Sequence, residues 1–136
     1  MQDHETARIE HLKMLQSTID RMANTSAAMK RYALVIAAAA LALAGAAKLP
    51  MVPVFAAVLM AVFWGLDAQY LRQERWFRRL YESARREELE LFAMTPDAET
   101  RNAEGFLAAL RSWATIGLYV PVILFLVICA TAVASV

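Results

Sequence analysis

The sequence predicts an all-α membrane protein with a transmembrane hairpin, a third C-terminal span, an N-terminal amphipathic helix and a long cytoplasmic helical extension. Of its 136 residues, 60% are hydrophobic, which is more than the surface of a soluble domain of this size permits. Three stretches of 16, 18 and 25 residues contain no Asp, Glu, Lys or Arg, namely 32–47, 49–66 and 112–136. About 20 apolar residues span a bilayer core. The first stretch is therefore long enough only if Arg31 and Lys48 extend their side chains outward.

The chain divides into four predicted segments. They are a cytoplasmic amphipathic helix (1–28), a transmembrane hairpin (29–68), a cytoplasmic arginine-rich helical segment (69–108) and a third transmembrane helix (109–136). Of the 14 basic residues, five precede the first apolar run, one lies in the hairpin turn and eight lie between the second and third runs. Because cytoplasmic loops carry an excess of Lys and Arg, the N-terminus is predicted in the cytoplasm and the C-terminus outside.

The N-terminal segment has the periodicity of an amphipathic helix. Its apolar residues recur in steps of three and four, at Ile9, Leu12, Leu15, Ile19 and Met22. The Asn24-Thr25-Ser26 cluster then offers side chains that commonly cap helices. We expect this cluster to end the first helix and to start the next one.

Only the letters KLPMVP separate the first two apolar runs, and this short turn predicts an antiparallel hairpin. Small residues recur every fourth position on the second run: Pro53, Ala57, Ala61 and Gly65. Membrane helices associate through such residues because their backbones can approach closely. We therefore predict helix packing through Ala57, Ala61 and Gly65, either within the hairpin or between subunits.

Asp67 ends the second apolar run, where a carboxylate needs a partner. In a hairpin that turns near residue 49, Asp67 is level with Lys30 and Arg31. One interpretation is an interhelical ion pair with one of these two cations. The other is a carboxylate at the mouth of a cation pathway.

The second membrane helix is expected to continue into water, since neither Pro nor Gly occurs between Leu66 and Pro96. On the continuation, Arg72, Arg75 and Arg79 lie opposite an aromatic stripe. These arginines would contact anionic lipid headgroups, pair with nearby glutamates or bind another anionic ligand. Nucleic acid is not an expected partner, because acidic residues match the arginines closely.

The aromatic stripe itself predicts a cytoplasmic oligomer contact. Tyr70, Phe77 and Tyr81 would project beyond the bilayer, where their burial requires a protein surface. The N-terminal helix offers such a surface through Ile9, Leu12 and Ile19. We hypothesise that the two helices pack together, within one subunit or between subunits.

No enzymatic motif is present in the sequence. It contains no glycine-rich phosphate loop, nucleophile elbow or paired-cysteine motif, and its single cysteine, Cys129, lies inside the third apolar run. His4 and His11 are seven residues apart and are predicted to be solvated. We therefore expect no catalytic residue, no cofactor and no metal site.

The string FWGLDAQYLRQERWFRRLYE, residues 63–82, resembles small bacterial multi-span membrane proteins. In layout, about residues 5–92 also resemble the two-span SLATT-type membrane effectors, which combine a membrane hairpin with cytoplasmic helices and are thought to disrupt membranes in anti-phage defence. The third span has no counterpart in that two-span plan. The resemblance implies a homo-oligomeric inner-membrane pore or membrane-perturbing effector, triggered by a separate cytoplasmic sensor. The alternative function is a structural or regulatory subunit that docks a partner protein.

Overall fold

The computed structural model describes residues 2–86, 88, 90–96, 98–103 and 105–135. Within these residues every element of secondary structure is a helix. The elements are α1 (Gln2–Ala47), α2 (Met51–Arg85), α3 (Ala98–Ala103), α4 (Phe106–Leu110) and α5 (Trp113–Ala134). Helices α1, α2 and α5 are long and apolar enough to cross a membrane. The prediction of an all-helical chain with three candidate spans is confirmed.

Helices α1 and α2 form a long antiparallel hairpin, which turns at residues 48–50. The 46 residues of α1 extend over about 69 Å, and the 35 residues of α2 over about 52 Å. The chain reverses through Lys48, whose φ of 53° lies in the left-handed region. The chain therefore reverses direction within the three residues 48–50.

The predicted helix break at Asn24-Thr25-Ser26 is wrong, since α1 runs through all three residues. The Thr25 hydroxyl donates to the Arg21 carbonyl 2.9 Å away, one turn earlier in the same helix, instead of capping a new helix. Ser26 is buried. The local capping preference is outweighed because the buried face of α1 continues without interruption from one end of the helix to the other. That face contains His11, Leu15, Ile19, Ser26, Ala33, Ala37 and Ala44.

Two different cores lie along the hairpin. In the part that we call the apolar half (residues 32–47, 51–66 and α5), small residues of α1 and α2 pack around Met60, with Tyr119 and Leu126 of α5 against them. In the polar half (α1 before Ser26, α2 after Ala68, and residues 90–96), the core consists of Leu15, Leu80 and Ala84. All three predicted segment boundaries lie inside helices: those after residues 28 and 68 fall within α1 and α2, and the one after residue 108 falls within α4. The two halves are therefore joined by helical backbone on both sides of the hairpin.

Helix α5 packs mainly on α2 and also contacts α1. Its 22 residues span about 33 Å, close to the thickness of a bilayer core. Pro121 lies inside the helix without ending it. The outer surface of the apolar half is covered by exposed large apolar side chains, such as those of Val35, Phe55, Val58, Leu124 and Ile128.

Candidate functional site

A compact ionic cluster lies where the apolar half meets the polar half. The side chain of Asp67 on α2 is fully buried, and one carboxylate oxygen is 2.5 Å from the ammonium nitrogen of Lys30 on α1. The other carboxylate oxygen accepts a hydrogen bond from the Ser26 hydroxyl. The Lys30 ammonium also donates to the Ser26 oxygen, 2.8 Å away. The three side chains therefore form a closed triangle of interactions between the two helices.

The helical repeat explains how these residues meet. Ser26 and Lys30 are four residues apart, so they lie on the same face of α1 one turn apart. Asp67 follows the buried residues Pro53 and Met60 at intervals of seven, so it lies on the inner face of α2. Burying an unpaired carboxylate costs several kcal/mol. The triangle offsets that cost only when α1 and α2 pack in this register.

Lys30 differs from Asp67 in its exposure. Its side chain remains 28% exposed, whereas the Asp67 side chain is fully buried. The long stem of Lys30 thus lies against the bundle while part of the side chain stays near the surface. Loss of Lys30 would leave a buried anion, whereas loss of Asp67 would leave a cation that can still reach solvent. The first change is therefore expected to be the more destabilising one.

Helix α5 contributes Tyr119 to the same cluster. The tyrosine side chain is fully buried and lies near the Asp67 carboxylate. Its hydroxyl nevertheless makes no hydrogen bond of good geometry. All three long helices therefore converge on Asp67.

A second set of polar contacts fixes the corner between α4 and α5. The Thr115 hydroxyl is 3.0 Å from the Ala109 carbonyl oxygen and 2.9 Å from the Leu110 carbonyl oxygen, which ties the first turn of α5 to α4. The Trp64 indole N–H donates to the same Leu110 carbonyl at 3.0 Å. The Arg75 guanidinium donates to the Ser112 hydroxyl at 3.0 Å. This corner is thus held on α2 at two points, on either side of Asp67 in the sequence.

In the polar half, residues 90–96, which we call the return segment, fold back onto the hairpin. His11 is buried rather than solvated, so that prediction is wrong, whereas His4 is exposed as expected. The His11 Nε2 lies 3.0 Å from the Ala93 carbonyl, to which it donates as Nε2–H, and its ring lies 5.8 Å from that of Phe92. Met94 packs against the core around Leu15. The return segment therefore shields His11 and part of the core around Leu15 from solvent, which the sequence alone did not predict.

The predicted ion-pair and packing residues occupy different environments. Lys30 contacts Asp67, whereas Arg31 is exposed. Among the small residues of α2, Ala57 is buried in the hairpin core and Ala61 is exposed. Gly65 is partly exposed, and a Cβ atom added there would meet nothing within 4 Å. The stripe is therefore not used as one surface inside the hairpin.

The predicted arginine contacts are also divided. The Arg72 guanidinium stacks over the Trp76 ring, 4.5 Å from the ring centroid. Arg75 binds Ser112, as described above. Arg79 is exposed. Arg72 and Arg75 thus make specific contacts with other residues of the same chain.

The predicted oligomer contact is largely an intrachain surface in this structure. Phe77 and Tyr81 pack with Leu12 against the Leu15 core. Ile19 is buried and Tyr70 is half-buried, whereas Ile9 is 47% exposed. The packing of the N-terminal helix on α2 therefore occurs within one subunit.

Reasoning from the sequence missed Ser26, Tyr119 and the burial of His11. A signal for Ser26 was present, because it lies seven residues after Ile19 and seven before Ala33 on one continuous row. No such signal existed for Tyr119, whose position depends on how α5 packs. The burial of His11 depends on the return segment, which has no regular periodicity.

The chain matches no protein-family model, no curated protein and no solved structure. Among the described residues, no group of three or more His, Cys, Asp or Glu side chains could hold a metal ion.

Replacing Ser26 with alanine tests the ionic triangle. The Ser26→Ala variant loses a hydrogen bond to a buried carboxylate, and hydrogen bonds to charged groups contribute about 1.5–3 kcal/mol. We expect a loss of that size in the free energy of unfolding, measured by circular dichroism in detergent micelles. The matched control, Ser17→Ala, removes an exposed hydroxyl from the same helix and should change stability by less than about 0.5 kcal/mol. Equal effects of the two substitutions would contradict the proposed importance of the triangle.

Replacing His11 with alanine tests the attachment of the return segment. The His11→Ala variant loses the bond to Ala93 and the ring contact with Phe92, so residues 90–96 should open more often. We expect faster amide hydrogen exchange in that segment, measured by mass spectrometry, with unchanged exchange in α5. The exposed His4 provides the control, since His4→Ala should leave both regions unchanged. Unaltered exchange in His11→Ala would show that the histidine does not hold the segment.

Proposed function

We propose that the chain is a multi-pass protein of the bacterial inner membrane, with its N-terminus in the cytoplasm. Three helices of sufficient length and apolarity support the multi-pass assignment. The distribution of basic residues supports the orientation, because 13 of the 14 precede residue 32 or lie between 72 and 111, whereas the hairpin turn holds only Lys48. The resemblance at residues 63–82 supports the bacterial source. In this orientation the polar half is cytoplasmic.

Within that membrane, we propose a non-enzymatic, homo-oligomeric effector that forms a pore or perturbs the bilayer and is gated through its cytoplasmic helices. The observation that carries the proposal is the continuity of α1 and α2 from the polar half into the apolar half. At the boundary between the two halves, the triangle of Ser26, Lys30 and Asp67 joins α1 to α2. A displacement imposed on the polar half would therefore move the membrane spans with it.

In this proposal any pore lies between copies of the chain, and Asp67 does not line it. Its carboxylate is fully buried within one chain and already has two partners. Exposed small residues on the outer face of the apolar half would let neighbouring copies approach closely. These residues include Ala38, Ala42, Ala46 and Ala61.

A different function, docking of a partner protein, has a specific observation in its favour. The polar half exposes several large apolar side chains that would otherwise face the cytoplasm, namely Ile9, Met14, Leu91 and Phe92. Neighbouring exposed apolar groups are typical of protein interaction surfaces, and Leu91 and Phe92 are adjacent in the return segment. Such a partner would be the separate sensor of an effector, or the main component of a complex in which this chain is a structural or regulatory subunit.

Topology is tested by reporters fused to the C-terminal end of the chain. With three spans and a cytoplasmic N-terminus, alkaline phosphatase should be active there and green fluorescent protein should be dark. Fusions inserted after Glu88 should give the opposite result. A fluorescent C-terminal fusion would contradict the three-span arrangement.

The effector function is tested by expressing the chain in bacteria while a voltage-sensitive dye reports the membrane potential. Wild-type protein should depolarise the cells. Ala61→Leu places a bulky side chain on an exposed small position and should reduce depolarisation by hindering close packing of copies. The control, Val62→Leu, alters a neighbouring exposed position that is already large, and it should retain the effect.

The wild-type chain and the two variants must be present at equal levels and must be inserted into the membrane to the same extent. An unchanged membrane potential with the wild-type chain would contradict an effector that acts without its separate sensor. Co-purification of one stoichiometric partner under those conditions would then support the docking function.

A further inference from the structure

Helix α4 and the first residue of α5 carry a small apolar surface that no other part of the described structure covers. Leu107 is 69% exposed, Phe106 is 37% exposed and Trp113 is 85% exposed. On the opposite side of α4, Ala109 is only 1% exposed, and α4 packs on α2. The helix therefore has one face in the protein and one apolar face turned outward.

The polar contacts at this corner fix the position of α4 along the bundle. The Trp64 indole reaches the Leu110 carbonyl at the end of α4. Trp64 lies three residues before Asp67, and the charge-free run of α2 ends between them at Leu66. Helix α4 thus lies at the level where the apolar half of the bundle ends.

The orientation of the exposed face is fixed as well. The Thr115 hydroxyl lies within hydrogen-bond distance of two carbonyls of α4, and Arg75 donates to the Ser112 hydroxyl between α4 and α5. The Trp113 indole lies against Gly117 one turn later, where an added Cβ would be 3.5 Å from the ring. This apolar face is therefore held outward by the structure and is not the chance exposure of a loose loop.

We propose that α4 and Trp113 form an interfacial element that inserts into the headgroup region of the leaflet next to the polar half. This proposal rests on the membrane location proposed above and adds to it a lipid-contact surface outside the three spans. Trp113, Gly117, Pro121 and Phe125 follow one another at four-residue intervals along one side of α5, and all four are exposed. This exposed row leads from α4 to the apolar surface of α5, so the same lipid phase would cover both. Tryptophan is enriched at this depth of a bilayer, and the exposed Arg111 between Leu107 and Trp113 can face lipid phosphates.

A second copy of the chain is a less suitable occupant. A stable protein interface buries about 800 Å² on each partner, which is far more than three side chains of a five-residue helix and its neighbour provide. An amphipathic helix at a membrane surface needs only to bury its apolar face by about 5–10 Å. The outward apolar face of α4 is large enough for this shallow insertion.

Spin labelling of single cysteines tests the proposal in the full chain reconstituted into phospholipid vesicles. In a Cys129→Ala background, labels are placed through Leu107→Cys, Phe125→Cys in the exposed middle of α5, and Glu99→Cys on α3. Collision rates with oxygen, which concentrates in lipid, and with a nickel chelate, which stays in water, give the depth of each label. We expect Leu107→Cys about 5–10 Å below the membrane surface, Phe125→Cys deeper and Glu99→Cys in water.

The three positions separate the possible results. A Leu107 label as accessible to nickel as the Glu99 label, with Phe125 in lipid, would overturn the interfacial element and leave the membrane location intact. A Leu107 label shielded from both oxygen and nickel would mean that protein covers α4, and would also overturn the proposal. A Phe125 label in water would overturn the membrane location itself and the proposed function with it.

Discussion

The arrangement of the whole chain depends on one constraint, the burial of the Asp67 carboxylate among three helices. A buried anion is tolerated only when a cation and hydrogen-bond donors surround it. Here Lys30 and Ser26 supply them from α1, and Tyr119 of α5 lies buried nearby without a hydrogen bond of good geometry. A shift of α2 along α1 by a single turn would separate the carboxylate from both partners. The ionic cluster therefore selects one register of the hairpin, whereas the apolar contacts alone would tolerate several.

The packing on either side of the cluster follows from different residue sizes. Towards the hairpin turn, alanines on both helices allow close approach, and van der Waals contacts hold the spans together. Away from the turn, Leu15, Phe77 and Leu80 form a core of larger side chains, of the kind found in soluble helical hairpins. The two cores share continuous helices, so neither can rearrange independently of the other. This mechanical continuity is the physical basis of the gating that we propose.

Much of the fold could be predicted from the sequence, because charge-free runs and basic residues report on spans directly. The hairpin register was also accessible, since counting from the turn brings Asp67 level with Lys30 and Arg31. That count gives the position of a residue along the hairpin but not the side of the helix on which it lies. It could therefore not decide whether Lys30 or Arg31 is the partner of Asp67. The path of α1 through Asn24-Thr25-Ser26 was missed because local capping preferences compete with tertiary packing, which in this chain prevails.

The parts of the site that could not be predicted depend on contacts between distant segments. Tyr119 reaches Asp67 only because α5 packs into the groove of the hairpin, and no pattern within α5 specifies that angle. His11 is buried only because the return segment passes over it at Ala93. Single-sequence periodicity describes each helix by itself, whereas these contacts are decided by how irregular segments and a third helix are placed.

The most direct test of this account is a double-mutant cycle between Lys30 and Asp67. Unfolding free energies in detergent would be measured for Lys30→Met, Asp67→Asn and the double variant, with Arg31→Met in place of Lys30→Met as the control. A direct buried pair predicts a coupling energy of about 1–3 kcal/mol for Lys30, with the double variant less damaged than the sum of the single ones, and near-additivity for Arg31. Strict additivity for Lys30 and Asp67 would contradict the ionic cluster on which this account depends.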